Sequence, residues 1–384
     1  MSLRPCVIGA GIATCLGGDV EENLYALKQS PKQAAIIEHH SLTDAERLPY
    51  HLLKGAELDH ADKRLYQQID QVVSQALGEA QLNDEQRSKM ALFVGSSSHD
   101  ISVSEQLYKQ ELISSKEPLA LRLSSFGNIA GYVRKRFSIK GEDFSINTAC
   151  TSSANALLYA SSMLRTGQVD YVLVLAVELF NDTTALGFNN LELLTHTQMT
   201  PFDKARDGIV LGEACGALVL TRKEPEAKEF VVLGGANLCD THSISSANPD
   251  GSSIAMVIRR ALDNAGVTPG QIRAIKAHGT ASLRGDEAEA AGVLQVFQDL
   301  PDVCAIKPYI GHTLGACGLV EMILFYQTIL AGFIIATPGI ASDEKELGLK
   351  LTQRHESVGS GIFLLNYFGF GGNNCSLVIA NGEQ

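Results

Sequence analysis

The sequence predicts an α/β protein built from two similar halves, 1–222 and 223–384, packed as one compact body. Strand-like apolar runs alternate with amphipathic helices along the whole chain. A helix–turn–strand segment at 71–98 recurs at 256–282, half a chain later. Ala76-Leu77 then matches Ala261-Leu262, Ala80 matches Ala265, Leu82 matches Val267 and Gln86 matches Gln271. No Gly/Ser linker, charge block or low-complexity tract lies between the copies.

Near the N-terminus, VIGAGIA (7–13) reads as a strand and turn rather than as a signal peptide. DFSI (143–146) is the next short strand of interest. NALLYASSMLRTG (155–167) has the pattern of a helix stopped by Gly167. VDYVLVLAVE (169–178), EACGALVLTR (213–222), FVVLGGAN (230–237) and GIFLLNYFGFGG (361–372) are continuous apolar runs, as expected for strands covered on both faces. LVEMILFYQTILAGFIIA (319–336) is long enough to span a bilayer. It contains Glu321, a Gly-Phe break and no basic flank, so a buried core helix is expected.

Hydrophobic residues make up 45% and charged residues 19% of the 384, with 35 glycines, the balance of a soluble α/β chain. A formal net charge of −12 argues against broad nucleic-acid binding. The eight cysteines have no CxxC pairing, which fits reduced thiols in a cytoplasmic protein and neither a zinc ribbon nor a disulfide scaffold. No metal site is expected.

Chemistry concentrates at INTACTSSA (146–154). Cys150 sits where a strand hands over to a helix, and a helix N-terminus stabilises a thiolate and lowers its pKa. The small residues around it leave room for a bulky acyl group. On this stretch alone an inert buried cysteine is the simpler reading. Two further loops shift the balance. KAHGTAS places His278 at a strand end, and IKPYIGHTLGACG places His312 in a second Gly/Thr setting, where side chains reach the C-terminal rim of a sheet. Lys307 and Glu321 flank His312 and can order its loop as an ion pair. YFGFGGNN (367–374) is a Gly-rich turn whose backbone N–H groups can meet an oxyanion, with Phe370 as an apolar wall. PFDKARDGIVLGEACG (201–216) couples Asp203, Arg206, Asp207 and Glu213 in a polar structural network.

Together TACTSSA, HGT (278–280), KxxxxHT (307–313), PFDKARDG, GHTLGACGLVE and NYFGFGGNN resemble the elongating β-ketoacyl-ACP synthases (Cys-His-His type) of the thiolase superfamily. The resemblance covers essentially the whole chain. It implies a thiolase-like duplicated five-layered α/β/α/β/α fold and a decarboxylative Claisen condensation giving 3-oxoacyl-ACP, in fatty acid or polyene/polyketide-type biosynthesis. By resemblance Cys150 accepts the acyl group, while His278 and His312 promote decarboxylation of malonyl-ACP. Lys307 and Glu321 order the His312 loop. The Cys150 and Phe370 N–H groups form the oxyanion hole, with Phe370 gating acyl access. Thr280 and Ser282 bind the phosphopantetheine arm of acyl carrier protein. No cofactor is implied beyond that carrier-borne arm.

Departures from the family pattern bear on substrate and partner. Segment 101–140 lacks the usual Ser-Pro-Phe and Pro-Met landmarks, the usual Thr-Pro pair is Ser282-Leu283 followed by Arg284, and the usual Thr after FGFGG is Asn373. These changes fit a specialised synthase better than a housekeeping one. The resemblance also implies a dimer, with itself or with a related ketosynthase-like subunit, and 101–140 as an interface or substrate-shaping segment. An acidic carrier requires a basic patch, for which Lys63 and Arg64 or Arg134, Lys135 and Arg136 are candidates. The alternative function is a non-catalytic chain-length-factor-like subunit, which the presence of Cys150 and both histidines disfavours.

Overall fold

The computed structural model describes residues 3–31, 34–37, 47–55, 58, 60–114, 125–226, 229–340 and 347–381. Ten strands form its main sheet: β1 (Arg4–Ala13), β2 (Ala91–Gly95), β3 (Asp143–Ile146), β4 (Tyr171–Glu178), β5 (Ala214–Lys223), β6 (Phe230–Cys239), β7 (Ile272–Lys276), β8 (Asp302–Cys304), β9 (Gly361–Phe368) and β10 (Asn373–Asn381). Their spatial order is β8-β7-β9-β10-β6-β1-β5-β4-β2-β3. Read outward from the centre, each set of five runs first, fifth, fourth, second, third. In both sets the first–fifth and fifth–fourth pairs are antiparallel, and the fourth–second and second–third pairs are parallel. The two sets meet at β1 and β6 through one register pair, Cys6↔Val231.

The helices that position the site are α1 (Ala61–Ala80), α2 (Ile101–Ser114), α3 (Asn128–Phe137), α4 (Ser152–Arg165), α5 (Asp182–Asn190), α6 (Ser252–Ala265), α7 (Leu283–Leu294) and α8 (Cys317–Leu330). Outer helix α1 packs on β1 and β5, and outer helix α6 packs on β6 and β10. Between the two sets of strands α4 and α8 lie against each other, completing five layers. Strand β4 shows why its sequence is apolar without alternation. Val172, Val174 and Ala176 face the central helices, whereas Leu173, Leu175 and Val177 face the layer under α1. The apolar stretch 319–336 becomes α8, followed by Gly332 at φ +87° and the short strand Phe333–Ile334. Among the described residues no helix is long and apolar enough to cross a membrane.

The repeat visible in sequence has a local cause in each half. Gln86 and Gln271 close matching capping boxes with Asn83 and Thr268, turning the chain from the outer helix into the next strand. The predicted strand 361–372 stops at Phe368, because the chain turns at Phe370–Gly372 with Gly371 and Gly372 at positive φ. The first strands also match: register shifts leave Ile8 and Leu233 bulged, each followed by a glycine. A Cβ on Gly9 would lie 2.1 Å from Ala76 O, and one on Gly234 would lie 2.7 Å from Ala265 N. These glycines let the outer helices approach the sheet.

Gly9→Ala should therefore lower the unfolding free energy by about 1–3 kcal/mol, since α1 must retreat. Gly78→Ala, on the same helix with nothing within 4 Å of its Cβ, should raise it by up to ~1 kcal/mol. Urea unfolding midpoints distinguish the two, and equal midpoints would contradict the close-approach argument.

Candidate active site

Cys150 lies in a tight turn immediately before α4. Ala149 takes φ +52°, Thr151 N donates to Thr148 O at 3.2 Å, and Ser152 Oγ donates to Ala149 O at 2.6 Å. The Phe370 and Cys150 N–H groups both act on the thiol and favour its charged form. Burial nevertheless pushes the thiol up to about 11, against the downward pull of Lys307 and of those N–H groups. The lowering expected from the helix terminus is thus overturned, because Cys150 is only 6% exposed and desolvation outweighs its donors. The small neighbours also have a second purpose. Ser152, Ser153 and Ala154 are fully buried, and a Cβ on Gly95 or Gly318 would collide with Ser153 or Ala154. Close packing of β2 and α8 on α4, as much as acyl room, dictates their size.

His278 follows β7, and its loop is fastened by an acidic residue that sequence reading passed over. Glu289 on α7 accepts the His278 N–H at 2.8 Å and the Gly279 N–H at 2.9 Å. Lys307 Nζ lies 3.2 Å from His278 Nδ1 and donates to His278 O at 2.7 Å. An ammonium is only a donor, so Nδ1 accepts and the proton of the neutral ring sits on Nε2. His312 is set the same way, with Leu314 N–H donating to its Nδ1 at 3.2 Å. The two rings lie 5.4 Å apart, nearly perpendicular. Burial first, then the nearby lysine charges, hold both imidazoles well below the usual histidine range and therefore neutral.

Behind the rings, Glu321 on α8 pairs with Lys307 at 2.7 Å and with Lys276 at 2.5 Å, all three fully buried. Lys276 also donates to Asn366 O at 3.0 Å and sits 3.8 Å over the Tyr367 ring. Burial drags Lys307 down, but Glu321 and other nearby anionic groups outweigh it and keep the group above its ordinary value. The expectation that Lys307 and Glu321 order the His312 loop needs revision: besides its pair with Glu321, the Lys307 ammonium bonds His278, and only the Lys307 carbonyl, accepting the Gly311 N–H at 2.7 Å, serves the His312 loop. His312 is instead held by its backbone, which donates to Val210 O at 2.7 Å, and by Glu178 next door. Glu178 collects N–H donors from Ser97, Ser98 and Gly315, tying the loop after β2 to the His312 loop.

Phe370 lies in the turn after β9 and stacks on Phe188 of α5 at 5.6 Å. Thr280 and Ser282 follow His278, their hydroxyls 2.9 Å apart, with Thr280 N–H held by Asp286 at 3.1 Å. The anticipated 201–216 network divides in two. Arg206 donates to Asp203 O, Leu283 O and Glu287, whereas Glu213 pairs with Arg64 and accepts the Leu53 and Phe180 N–H groups. Asp207 is exposed. That pairing removes Arg64 from the candidate basic patch. Arg134 and Arg136 pair with Asp143 and Asp70, and Arg136 stays exposed, as Lys63 and Lys135 do. Within 101–140, residues 115–124 lie outside the described residues. Helix α2 there has no buried residue and borders a cavity of about 540 Å³ with Leu179 and Phe180.

Glu178, Asp286, Glu289 and Lys276 are the residues that sequence reading missed. Asp286 and Glu289 had one local signal, an i,i+3 acidic pair on the helix directly after the HGT loop.

Comparison with known proteins identifies the family. Residues 6–226 match the family description Beta-ketoacyl synthase, N-terminal domain, and residues 230–341 match the C-terminal domain. A 3-oxoacyl-[acyl-carrier-protein] synthase 2 from Vibrio cholerae is 27% identical over 98% of this chain and 98% of its own. Among solved structures, the ishigamide ketosynthase/chain length factor superposes with a TM-score of 0.88 at 26% identity, covering 100% of both chains. A β-ketoacyl synthase from Burkholderia phymatum STM815 gives 0.86 at 25% identity, again over 100% of both. With over half its length inside one family description and its whole fold shared with these structures, the chain belongs to the β-ketoacyl synthase family of the thiolase superfamily.

Proposed function

We propose that the chain acts as a 3-oxoacyl-[acyl-carrier-protein] synthase with Cys150, His278 and His312 as its catalytic residues. An acyl group passes from its carrier thioester to Cys150 Sγ, and the departing pantetheine sulfur leaves as a thiol with the proton of Cys150. Malonyl thioester then loses CO2, and its carbonyl oxygen takes up negative charge as an enolate. The enolate carbon attacks the acyl–Cys150 carbonyl, whose oxygen is met by the Phe370 and Cys150 N–H groups. That attack forms the C–C bond; collapse of the oxyanion then breaks the C–S bond and expels Cys150 as a thiolate, which takes a proton from solvent.

The observation that carries this reading is the matched tautomer of the two rings. Each Nδ1 is occupied by a donor, so each neutral ring offers Nε2–H, the group an enolate oxygen needs. Lys307 acts here by fixing the His278 tautomer, with Glu321 fixing Lys307. Thr280 and Ser282 are proposed to meet the pantetheine arm, and Phe370 to gate the acyl group.

A carrier-borne acyl substrate and a ketosynthase-like partner subunit complete the proposal, supported by the solved neighbour named as a ketosynthase/chain length factor. Together with the departures at Ser282, Leu283 and Asn373, this favours a specialised polyene- or polyketide-type pathway. None of the eight cysteines is assigned to a disulfide, which suits a reducing cytoplasmic setting.

Intact-mass measurement should show one acyl adduct on wild type and none on Cys150→Ala, which should also form no 3-oxoacyl product; an adduct on the variant would remove Cys150 from its role. His278→Ala or His312→Ala should slow malonyl decarboxylation by about 10²–10³-fold while acylation of Cys150 persists. Loss of acylation instead would reassign the histidines.

Because both imidazoles stay neutral far below the usual range, the decarboxylation rate should show no midpoint near pH 6.5 and stay level between about pH 6 and 8. An acid limb centred at 6.5 would mean that the rings titrate as solvated histidines.

A further inference from the structure

The two N–H donors at Cys150 belong to segments far apart in the chain, one in the turn before α4 and one in the turn after β9. Their spacing needs a fastener. An oxyanion is stabilised only when both donors lie at hydrogen-bonding distance, and misplacement by ~1 Å costs on the order of 10² in rate.

Asn155, on the first turn of α4, is completely buried. Its Nδ2 lies 2.8 Å from Thr148 Oγ1, 3.3 Å from Thr151 Oγ1 and 2.8 Å from Asn373 Oδ1. Thr148 and Thr151 bracket Cys150, and Thr151 Oγ1 is itself 2.8 Å from Asn373 Oδ1. Asn373 closes the turn that carries Phe370, because its carbonyl accepts the Gly369 N–H at 2.9 Å. One buried amide therefore bonds both donor-bearing turns. Its orientation is set from behind: Asn237 Nδ2 donates to Asn155 Oδ1 at 3.0 Å and to Tyr159 Oη at 2.7 Å. With Oδ1 so occupied, Nδ2 must face the threonines and Asn373.

We propose that Asn155, acting through Asn373, is the positioning residue that sets the distance between the two oxyanion N–H donors. The proposal rests on the assignment of Cys150 as the acyl-accepting nucleophile. It gives Asn373, a departure from the family pattern, a purpose: its Oδ1 is the acceptor through which α4 grips the turn. Decarboxylation, assigned to His278 and His312, does not use these donors and should be insensitive to the fastener.

The test uses Asn155→Ala, Asn373→Ala and the double variant, each assayed for acylation of Cys150 by an acyl-pantetheine thioester, for malonyl decarboxylation and for thermal midpoint. Each single variant should slow acylation about 10²-fold with little change in KM, while decarboxylation stays within about twofold of wild type. The double variant should be no slower than the worse single one, since both cut the same link. Equal losses in both reactions, accompanied by a lowered midpoint, would show a merely structural residue and overturn the proposal. Multiplying losses in the double variant, or unchanged acylation in the singles, would overturn it as well. If Asn155→Ala does not fold, Asn373→Ala alone supplies the same contrast between acylation and decarboxylation. A wild-type protein that forms no adduct on Cys150 would instead defeat the functional reading itself.

Discussion

The site depends on a buried charge cluster in which one carboxylate, Glu321, serves two ammonium groups, Lys276 and Lys307. Removing such ions from water costs several kcal/mol each, so the cluster is poorly explained as a device for stability. Its surplus positive charge explains more. It helps keep His278 and His312 neutral, it pulls the Cys150 thiol downward against burial, and Lys307 selects the His278 tautomer. Loss of Glu321 would leave two buried ammonium groups without their shared partner, at a cost of about 3–5 kcal/mol, before chemistry is considered. Fold and reactivity therefore share these side chains.

Around that cluster, carboxylates bind backbone rather than substrate. Glu289 holds the His278 loop, Asp286 holds Phe202 and Thr280, and Glu178 ties Ser97 and Ser98 to Gly315. Each accepts N–H groups that would otherwise be buried without partners. The reactive loops are irregular, and irregular backbone in a protein interior needs such acceptors.

Much of this was legible in the sequence, and the reasons differ by element. Gln86 and Gln271 matched because each closes a capping box, so the duplication showed at a turn where chemistry restricts the choice of residue. The His278 and His312 loops stood out because Gly and Thr beside a strand end are unusual in a core. Three things stayed hidden. Burial raises the Cys150 thiol, an effect set by surroundings distant in the chain. Lys307 turns to His278 across 29 positions, although His312 is its nearer neighbour in sequence. Arg64, read as a surface cation, is claimed by Glu213 across 149 positions. Long-range partnership leaves no local pattern.

The strand order also has a consequence for the order of assembly. Within each half the opening strand finds its partner last: β1 pairs with β5, where Arg4 meets Lys223, and β6 pairs with β10, where Phe230 meets Asn381. A chain emerging from the ribosome cannot seat its first strand until more than half its length exists. Such long loop closures slow folding and leave strand edges open meanwhile. The bulged, glycine-marked strands β1 and β6 must wait for those partners, and their local kinks make them poor templates for a stranger's edge.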